Sequence, residues 1–195
     1  MILPIYGYGE PVLRKVAENI SKDYPRLQEI IEDMHQTMYN ACGVGLAAPQ
    51  VGLAIRLFIV DTTPFSESDD VSKEEKEILK DFKKVFINAK ILKEEGDLWA
   101  FNEGCLSIPD VREDVLRNDK ITINYVDENF IEKTETYDGL IARVIQHEYD
   151  HIEGILFTDK ISSLRKKLIA KKLQNIMDGK ANPDYRMKFA NTKKR

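Results

Sequence analysis

Cysteine and long apolar runs are both scarce in this sequence of 195 residues. Its two cysteines, Cys42 and Cys105, are too few for a disulfide scaffold. No stretch approaches the roughly 20 apolar residues that a membrane-spanning helix needs. The amino terminus lacks a basic region followed by an apolar run, which a secretory signal would have. We therefore expect a cytoplasmic protein with no membrane partner.

What the sequence does contain is enough apolar residues for a core, 43%, and an uneven distribution of charge. From residue 160 onward there are twelve Lys or Arg residues and two acidic residues, Asp178 and Asp184, which gives this segment a net charge of +10. Because the whole chain has a net charge of −4, the first 159 residues have a net charge of −14. Such a basic segment favours either contact with an acidic or nucleic-acid surface, or a solvated helix face followed by a basic tail. Both interpretations remain open here.

Apolar residues at helical spacing predict three helices, at 25–42, 139–153 and 162–177. Asp138 is expected to cap the second helix, and Gly154 to end it. In the third helix, the spacing predicts that Leu164, Leu168, Leu173 and Ile176 face inward.

Segments rich in β-branched and aromatic residues predict strands at 55–61, 85–92, 121–126 and 130–136. The pattern indicates an α+β fold, with antiparallel or mixed sheets around a central helix and a further carboxyl-terminal helix. We predict a single domain over 1–180, interrupted by an acidic surface insertion at about 62–84 that contains a short helix. A basic, disordered tail is predicted for 181–195.

The strongest chemical pattern lies on the second predicted helix. His147 and His151 are four residues apart, so their imidazoles project from one face and can bind one divalent cation. Glu148 between them is placed to act as a general base. Histidine is rare in the chain, with His35 the only other one. This spacing therefore predicts a metal-dependent hydrolase.

A catalytic site of this kind needs a third ligand. Metzincin peptidases would have a histidine at position 157, which is Phe157 here. Cys105, in the segment Glu103-Gly104-Cys105-Leu106-Ser107, offers a thiolate that would suit Zn²⁺ or Fe²⁺ together with two imidazoles. Cys42 has no such surroundings, and we expect it to be a core residue.

Three segments, taken together, resemble the signature motifs of the peptide deformylase family. In chain order they are GVGLAAPQ at 43–50, EGCLS at 103–107 and QHEYDH at 146–151. The resemblance implies an enzyme that removes the formyl group from formylmethionine at the amino terminus of nascent polypeptides, releasing formate. It extends to about residue 160.

The resemblance also implies roles for particular residues. Cys105, His147 and His151 would hold one Fe²⁺, for which Zn²⁺, Ni²⁺ or Co²⁺ can substitute. The metal would activate a bound water as the nucleophile, with Glu148 as general base and then acid. The side-chain amide of Gln50 and the backbone N–H of Leu106 would stabilise the oxyanion.

Substrate contacts are implied in the same way. An apolar pocket for methionine would be lined by Val44, Phe101, Leu140 and Val144. Gly45 and Gly104 leave the main chain open for an extended peptide to pair with it. Arg112 would position Glu103 or the peptide. Arg143, where many members have an apolar residue, predicts an altered rim of the groove. The expected partners are formylmethionyl nascent peptides and, through the basic segment, the ribosome, but not DNA.

Two other interpretations fit the histidine motif alone. A zinc peptidase would take its third ligand from a downstream carboxylate, so replacing Cys105 would spare metal binding. A structural metal site in a binding module would generally be closed by four protein ligands, and it would leave Glu148 without a role.

Overall fold

A computed structural model of the chain describes residues 1–69 and 71–192. Its main sheet has five strands, each antiparallel to the next, in the order β2-β3-β4-β5-β6. These are β2 (Gly45–Ala47), β3 (Leu57–Asp61), β4 (Lys83–Cys105), β5 (Ile108–Val126) and β6 (Glu132–Asp138). A smaller sheet pairs β1 (Ile5–Tyr6) with β7 (Met187–Lys188) in parallel. The predicted α+β class is confirmed.

The helices are α1 (Leu27–Asn40), α2 (Thr63–Ser66), α3 (Lys73–Leu79), α4 (Gly139–Ile152) and α5 (Ser163–Met177). The three longer ones match the helices predicted from periodicity. Pro25 lies before α1 rather than in its first turn, because Arg26 caps this helix in a left-handed conformation. No described helix has the length and apolar content that crossing a bilayer would demand.

The sheet separates two parts of the core. Because side chains alternate along a strand, Leu57 and Ile59 of β3 face the cluster around α1, whereas Phe58 and Val60 face the cluster around α4. α4 presents Ala142 and Ile145, which are fully buried, to this second cluster. The helix with the two histidines is thus central, as predicted, and its position is fixed by packing on the sheet.

The acidic segment 62–84 contains α2 and α3, and Ser72 caps α3 through a hydrogen bond from the Glu75 backbone N–H to its hydroxyl. Leu79 and Phe82 are buried in the cluster around α4. Phe65 and Val71 also pack against this cluster, so the segment is attached to the core along its length. Residue 70 lies outside the described residues.

Two expectations need correction. In α5 the buried stripe is Ile169, Leu173 and Ile176, whereas Leu164 and Leu168 are 67% and 62% exposed. The first half of α5 extends past the core. Helical spacing therefore predicted the buried Leu173 and Ile176 correctly, but was wrong for Leu164 and Leu168. The second correction concerns the long β4–β5 hairpin. Residues 93–105 and 108–120 lie in these strands, although their many charged residues gave no strand pattern.

The predicted tail, 181–195, is not disordered as far as residue 192. The backbone N–H groups of Ile5 and Gly7 donate to the carbonyls of Arg186 and Lys188, at 2.9 and 2.8 Å. Phe189 packs against a third cluster of buried residues, to which β5 and α5 contribute and which includes Val115 and Leu173. The chain thus returns to its own amino terminus. Residues 193–195 lie outside the described part, and the single domain over 1–180 stays a prediction.

Candidate metal centre and substrate cleft

The three predicted metal ligands come together from two elements. Cys105 ends β4, while His147 and His151 lie one turn apart on α4. One ligand atom from each of the three lies within 4.8 Å of the others. The Cys105 Sγ is 3.3 Å from the His151 Nε2. The predicted trio is therefore a geometric cluster with the spacing that a single cation requires.

The chemistry of this cluster fits the implied metal. A thiolate and two imidazoles form a soft donor set suited to Fe²⁺ or Zn²⁺, and three protein ligands leave a coordination position open. Burial lowers the pKa of His151 well below its usual value, which keeps the ring in the neutral form that binds metals. His151 is 1% exposed, so its ring is also held in place by packing.

Glu148 lies beside the cluster in an apolar, enclosed position. It is 4% exposed, and its Oε2 has no hydrogen-bond partner among the described residues. Burial raises the pKa of this carboxyl group to about 7. The other oxygen, Oε1, faces Gly45 so closely that a Cβ at this glycine would lie 2.5 Å from it. A carboxylate held this way has a free oxygen with which to take up a proton.

Gln50 presents its amide N–H group to the same place. The Ala47 backbone N–H donates to the Gln50 Oε1 at 2.8 Å, which fixes the orientation of the amide. Its Nε2 lies 3.4 Å from the Cys105 Sγ and donates to the Ser107 hydroxyl at 3.2 Å. Leu106 follows Cys105 in the turn between β4 and β5. Two candidate donors, the Gln50 Nε2 and the Leu106 N–H, thus lie next to the metal ligands.

A buried network of ion pairs fixes the orientation of the His147 ring. The Glu103 Oε2 contacts the His147 Nδ1 at 2.9 Å, so the Nε2 of this ring is left for the metal. Arg117 binds both oxygens of Glu103, at 2.7 and 3.0 Å, and reaches Asp150 at 2.6 Å. Burial opposes ionisation of Glu103, but the bonds from His147 and Arg117 prevail and hold its pKa well below the usual range.

Three predicted substrate residues have different surroundings from those expected. Glu103 is 4% exposed and belongs to the network behind His147. Arg112 does not reach it; its guanidinium binds the Asn102 side chain at 3.0 Å and the Asn102 carbonyl at 2.5 Å. Leu140 packs on the core cluster around α4 and is not among the residues that line the cleft.

Arg143 is buried, although it also lines the cleft. Its guanidinium binds the Glu103 Oε1 at 2.9 Å and the carbonyls of Trp99 and Val115 at 2.7 and 3.0 Å. It also lies 4.4 Å above the Trp99 ring. The arginine completes the network and joins both strands of the hairpin to α4.

In front of the cluster lies a cavity of ~620 Å³. His151 and Leu140 do not line it, but the rest of the predicted site residues do: Val44, Gly45, Gln50, Phe101, Glu103, Gly104, Cys105, Leu106, Arg112, Arg143, Val144, His147 and Glu148. Its wall also includes Pro183, Asp184 and Tyr185, from the segment predicted to be a tail. The cleft is therefore built by both the motif segments and the carboxyl terminus.

Sequence reasoning missed Arg117, Ser107 and Tyr185. Arg117 shares one face of β5 with the buried Val115, and a charged residue at such a position needs a buried partner. That signal becomes usable only if the strand is recognised. Ser107 was inside a motif but had no assigned role. Tyr185 carried no local signal, because its partner, the Leu106 carbonyl, is 79 residues away.

Comparisons with known proteins agree with this geometry. The sequence model of the family "Polypeptide deformylase" matches residues 2–167. The chain is 73% identical to the peptide deformylase of Flavobacterium psychrophilum over 194 residues, 100% of both chains. It is 50% identical to that of Cytophaga hutchinsonii, over 97% of this chain and 98% of the relative. A crystal structure of a Legionella pneumophila peptide deformylase superposes with a TM-score of 0.78 at 34% identity, covering 93% and 99% of the two chains.

Proposed function

The chain belongs to the polypeptide deformylase family, and we propose that it performs the family's reaction at the cluster of Cys105, His147 and His151, with Glu148 as the proton acceptor. The reaction removes the formyl group from formylmethionine at the amino terminus of new polypeptides. The observation that supports this site most strongly is the cluster of one thiol and two imidazoles, of which Cys105 and His147 line one cavity together with the buried carboxylate of Glu148. Since the substrate is a nascent chain, we place the reaction in the cytoplasm.

We propose Fe²⁺ as the metal, one per chain, with Zn²⁺, Ni²⁺ or Co²⁺ as substitutes. When bound, a divalent cation supplies the Lewis acidity that makes water a nucleophile at neutral pH. A thiolate ligand leaves Fe²⁺ open to oxidation, so an iron-loaded sample should lose activity in air. Activity that decays at the same rate with and without oxygen would contradict this assignment.

Glu148 moves the protons of the reaction. Its unpartnered Oε2 accepts a proton from the attacking water, and the same oxygen then gives it to the departing amine. A pKa near 7 suits both steps, because such a group can take up and release a proton with little penalty. Glu103 supports this arrangement by keeping the neighbouring His147 ring in a fixed orientation.

The oxyanion of the tetrahedral intermediate requires donors that are already aimed at it. The Gln50 Nε2 meets this requirement, since the bond from Ala47 prevents the amide from turning over. The Leu106 backbone N–H is the second donor. These two groups lie beside Cys105, so both would donate to the oxygen of a formyl group held next to the metal.

The cleft accepts the rest of the substrate. Val44, Phe101 and Val144 supply apolar surface for the methionine side chain. β2 lies at the edge of the main sheet, so an extended peptide can pair with its main chain at Gly45. Gly104, on β4, lines the opposite side of the cleft, where the Arg112 guanidinium occupies the space of the missing side chain: a Cβ would lie 2.8 Å from it.

Formate release from a formylmethionyl peptide tests the function. The metal-loaded wild type should release formate, whereas Cys105→Ala should lose both bound metal and activity. Cys42→Ala is the matched control for bound metal. Cys42 was expected in the core, but it is exposed, lines the cleft and is not in the ligand cluster. A wild type that holds metal but releases no formate would contradict the proposed function, and a Cys105→Ala variant that keeps its metal would contradict the ligand set.

The basic segment supports a second proposal, that α5 contacts ribosomal RNA near the site of chain synthesis. Lys167 and Lys171 are exposed on α5 beside the exposed Leu164 and Leu168. Phosphate contacts of this kind weaken steeply with salt. Replacing both lysines by glutamate should reduce co-sedimentation with ribosomes at low salt. The same change at the exposed Lys22 and Lys90 should not; equal behaviour of the two variants would refute the contact.

A further inference from the structure

The carboxyl-terminal wall of the cleft, residues 183–185, lies outside the part of the chain that the family's sequence model matches, 2–167. Pro183, Asp184 and Tyr185 line the same cavity as Cys105 and His147. None of the three motifs contains these residues. Their position in the active-site cavity, rather than on a remote surface, raises the question of what they contribute.

The wall is held at both ends. On its amino-terminal side, the Lys180 N–H donates to the Asn175 carbonyl at 2.9 Å and Ala181 packs on the cluster that includes Leu173, which ties the chain to the end of α5. On the other, β7 pairs with β1, and the Lys188 Nζ lies 4.1 Å from the centre of the Tyr6 ring. The segment between these attachments is short, so the wall has a defined place.

Tyr185 connects the wall to the catalytic turn. Its hydroxyl donates to the Leu106 carbonyl at 2.8 Å. Burial raises the pKa of this phenol, so the hydroxyl keeps the proton it donates. The next carbonyl, that of Ser107, accepts from the Tyr8 N–H at 2.8 Å. Two consecutive carbonyls after Cys105 therefore accept hydrogen bonds, one from the carboxyl-terminal segment and one from the amino-terminal segment of the chain.

We propose that Tyr185 is a positioning residue for deformylation: by holding the Leu106 carbonyl, it fixes the orientation in which the Leu106 N–H meets the oxyanion. The inference rests on the role proposed above for this N–H. Only the φ and ψ of Leu106 separate its N–H from its carbonyl, so a carbonyl held by Tyr185, next to a Cys105 side chain held at the metal cluster, leaves the N–H little freedom to rotate. An oxyanion donor contributes only when it is aimed before the charge develops.

Tyr185→Phe removes the hydroxyl and keeps the ring in the cleft wall. Because the donor acts on charge that develops in the transition state, kcat should fall about tenfold while KM stays within twofold. Tyr137→Phe is the matched control. Tyr137 is also partly buried, and its hydroxyl bonds with Lys84 and Glu135, none of which lines the cleft. Its loss should leave kcat unchanged.

A second measurement reports on the turn without relying on catalysis. Amide hydrogen exchange in a peptide covering 104–108 should be faster in zinc-loaded Tyr185→Phe than in wild type, and unchanged in Tyr137→Phe. Unchanged kcat, or a rise in KM alone, would overturn the positioning role and leave the proposed function standing. Wild type without formate release would overturn both. Unchanged exchange together with a lower kcat would also contradict the proposal, because Tyr185 would then act without holding the turn.

Discussion

The close approach of Gly45 to Glu148 gives a sharp prediction for Gly45→Ala. The added methyl carbon would lie 2.5 Å from the Glu148 Oε1 and 2.8 Å from its Cδ and Cγ. Ordinary contact begins at 3.4 Å, so the carboxylate must withdraw by nearly 1 Å. A displacement of this size costs on the order of 10²-fold in rate when it misaligns a catalytic group. We therefore expect kcat to fall about 100-fold, or ~2.7 kcal/mol in activation free energy.

The assay is formate release at saturating substrate, with bound metal measured in the same samples. Metal content should not change, since none of the nearest atoms to the added methyl belongs to Cys105, His147 or His151. A double-mutant cycle with Glu148→Gln is the control. If the methyl acts through the carboxylate, Gly45→Ala should have little further effect in that background. A kcat within threefold of wild type, or full additivity with Glu148→Gln, would refute the reasoning.

Three further predictions concern the network and the sheet. Glu103→Gln should weaken metal affinity about 10- to 100-fold in a chelator competition, because His147 loses the carboxylate that orients it; unchanged affinity would contradict this role. Arg143→Met should lower the free energy of unfolding, measured with urea, by ~2–3 kcal/mol. This loss is smaller than that for a buried charge left with no partner, because Arg117 still binds Glu103. A loss below ~1 kcal/mol would contradict the prediction. Although burial raises the pKa of Glu135, bonds from Lys84 and its tyrosine neighbours prevail and lower it to about 2. Its stabilising contribution is therefore present above the ordinary glutamate pKa and is lost as pH falls toward 2. Glu135→Gln should consequently lower Tm at pH 7 and have a smaller effect at pH 3; an equal effect at both would refute the assignment.

Much of the site was predictable because its chemistry is local in sequence. His147, Glu148 and His151 lie within two turns of one helix, so their relation follows from helix geometry alone. Cys105 and Gln50 were found through motifs, and the structure brings both to the histidines. The helices were predictable for a similar reason, since periodicity reports a buried face.

What could not be predicted depends on strand register. The hairpin of β4 and β5 carries charges such as Lys93 and Glu94 because much of it faces solvent, and its sequence therefore shows little apolar alternation. Because the hairpin was not predicted, the sequence could not show that Arg117 pairs with Trp99 across the two strands and so lies beside Glu103. The arginine assigned to Glu103 was Arg112, which is nearer in sequence but binds Asn102.

The carboxyl terminus was misjudged for a different reason. Residues 181–192 are polar and interrupted by Pro183, which is typical of a disordered tail. These residues take a defined conformation because they bind to β1 and α5. Such long-range contacts leave no local pattern in the sequence of 181–192. The same contacts bring Tyr185 to the cleft.

The central claim is that Glu148 transfers the protons of deformylation beside the Cys105, His147 and His151 cluster. The most direct test is the rate of formate release in a single turnover, compared between wild type and Glu148→Gln at equal bound metal. General acid–base catalysis contributes ~10²–10⁴-fold, so the substituted protein should be slower by at least 100-fold while retaining its metal. A rate within tenfold of wild type at equal metal content would contradict the account.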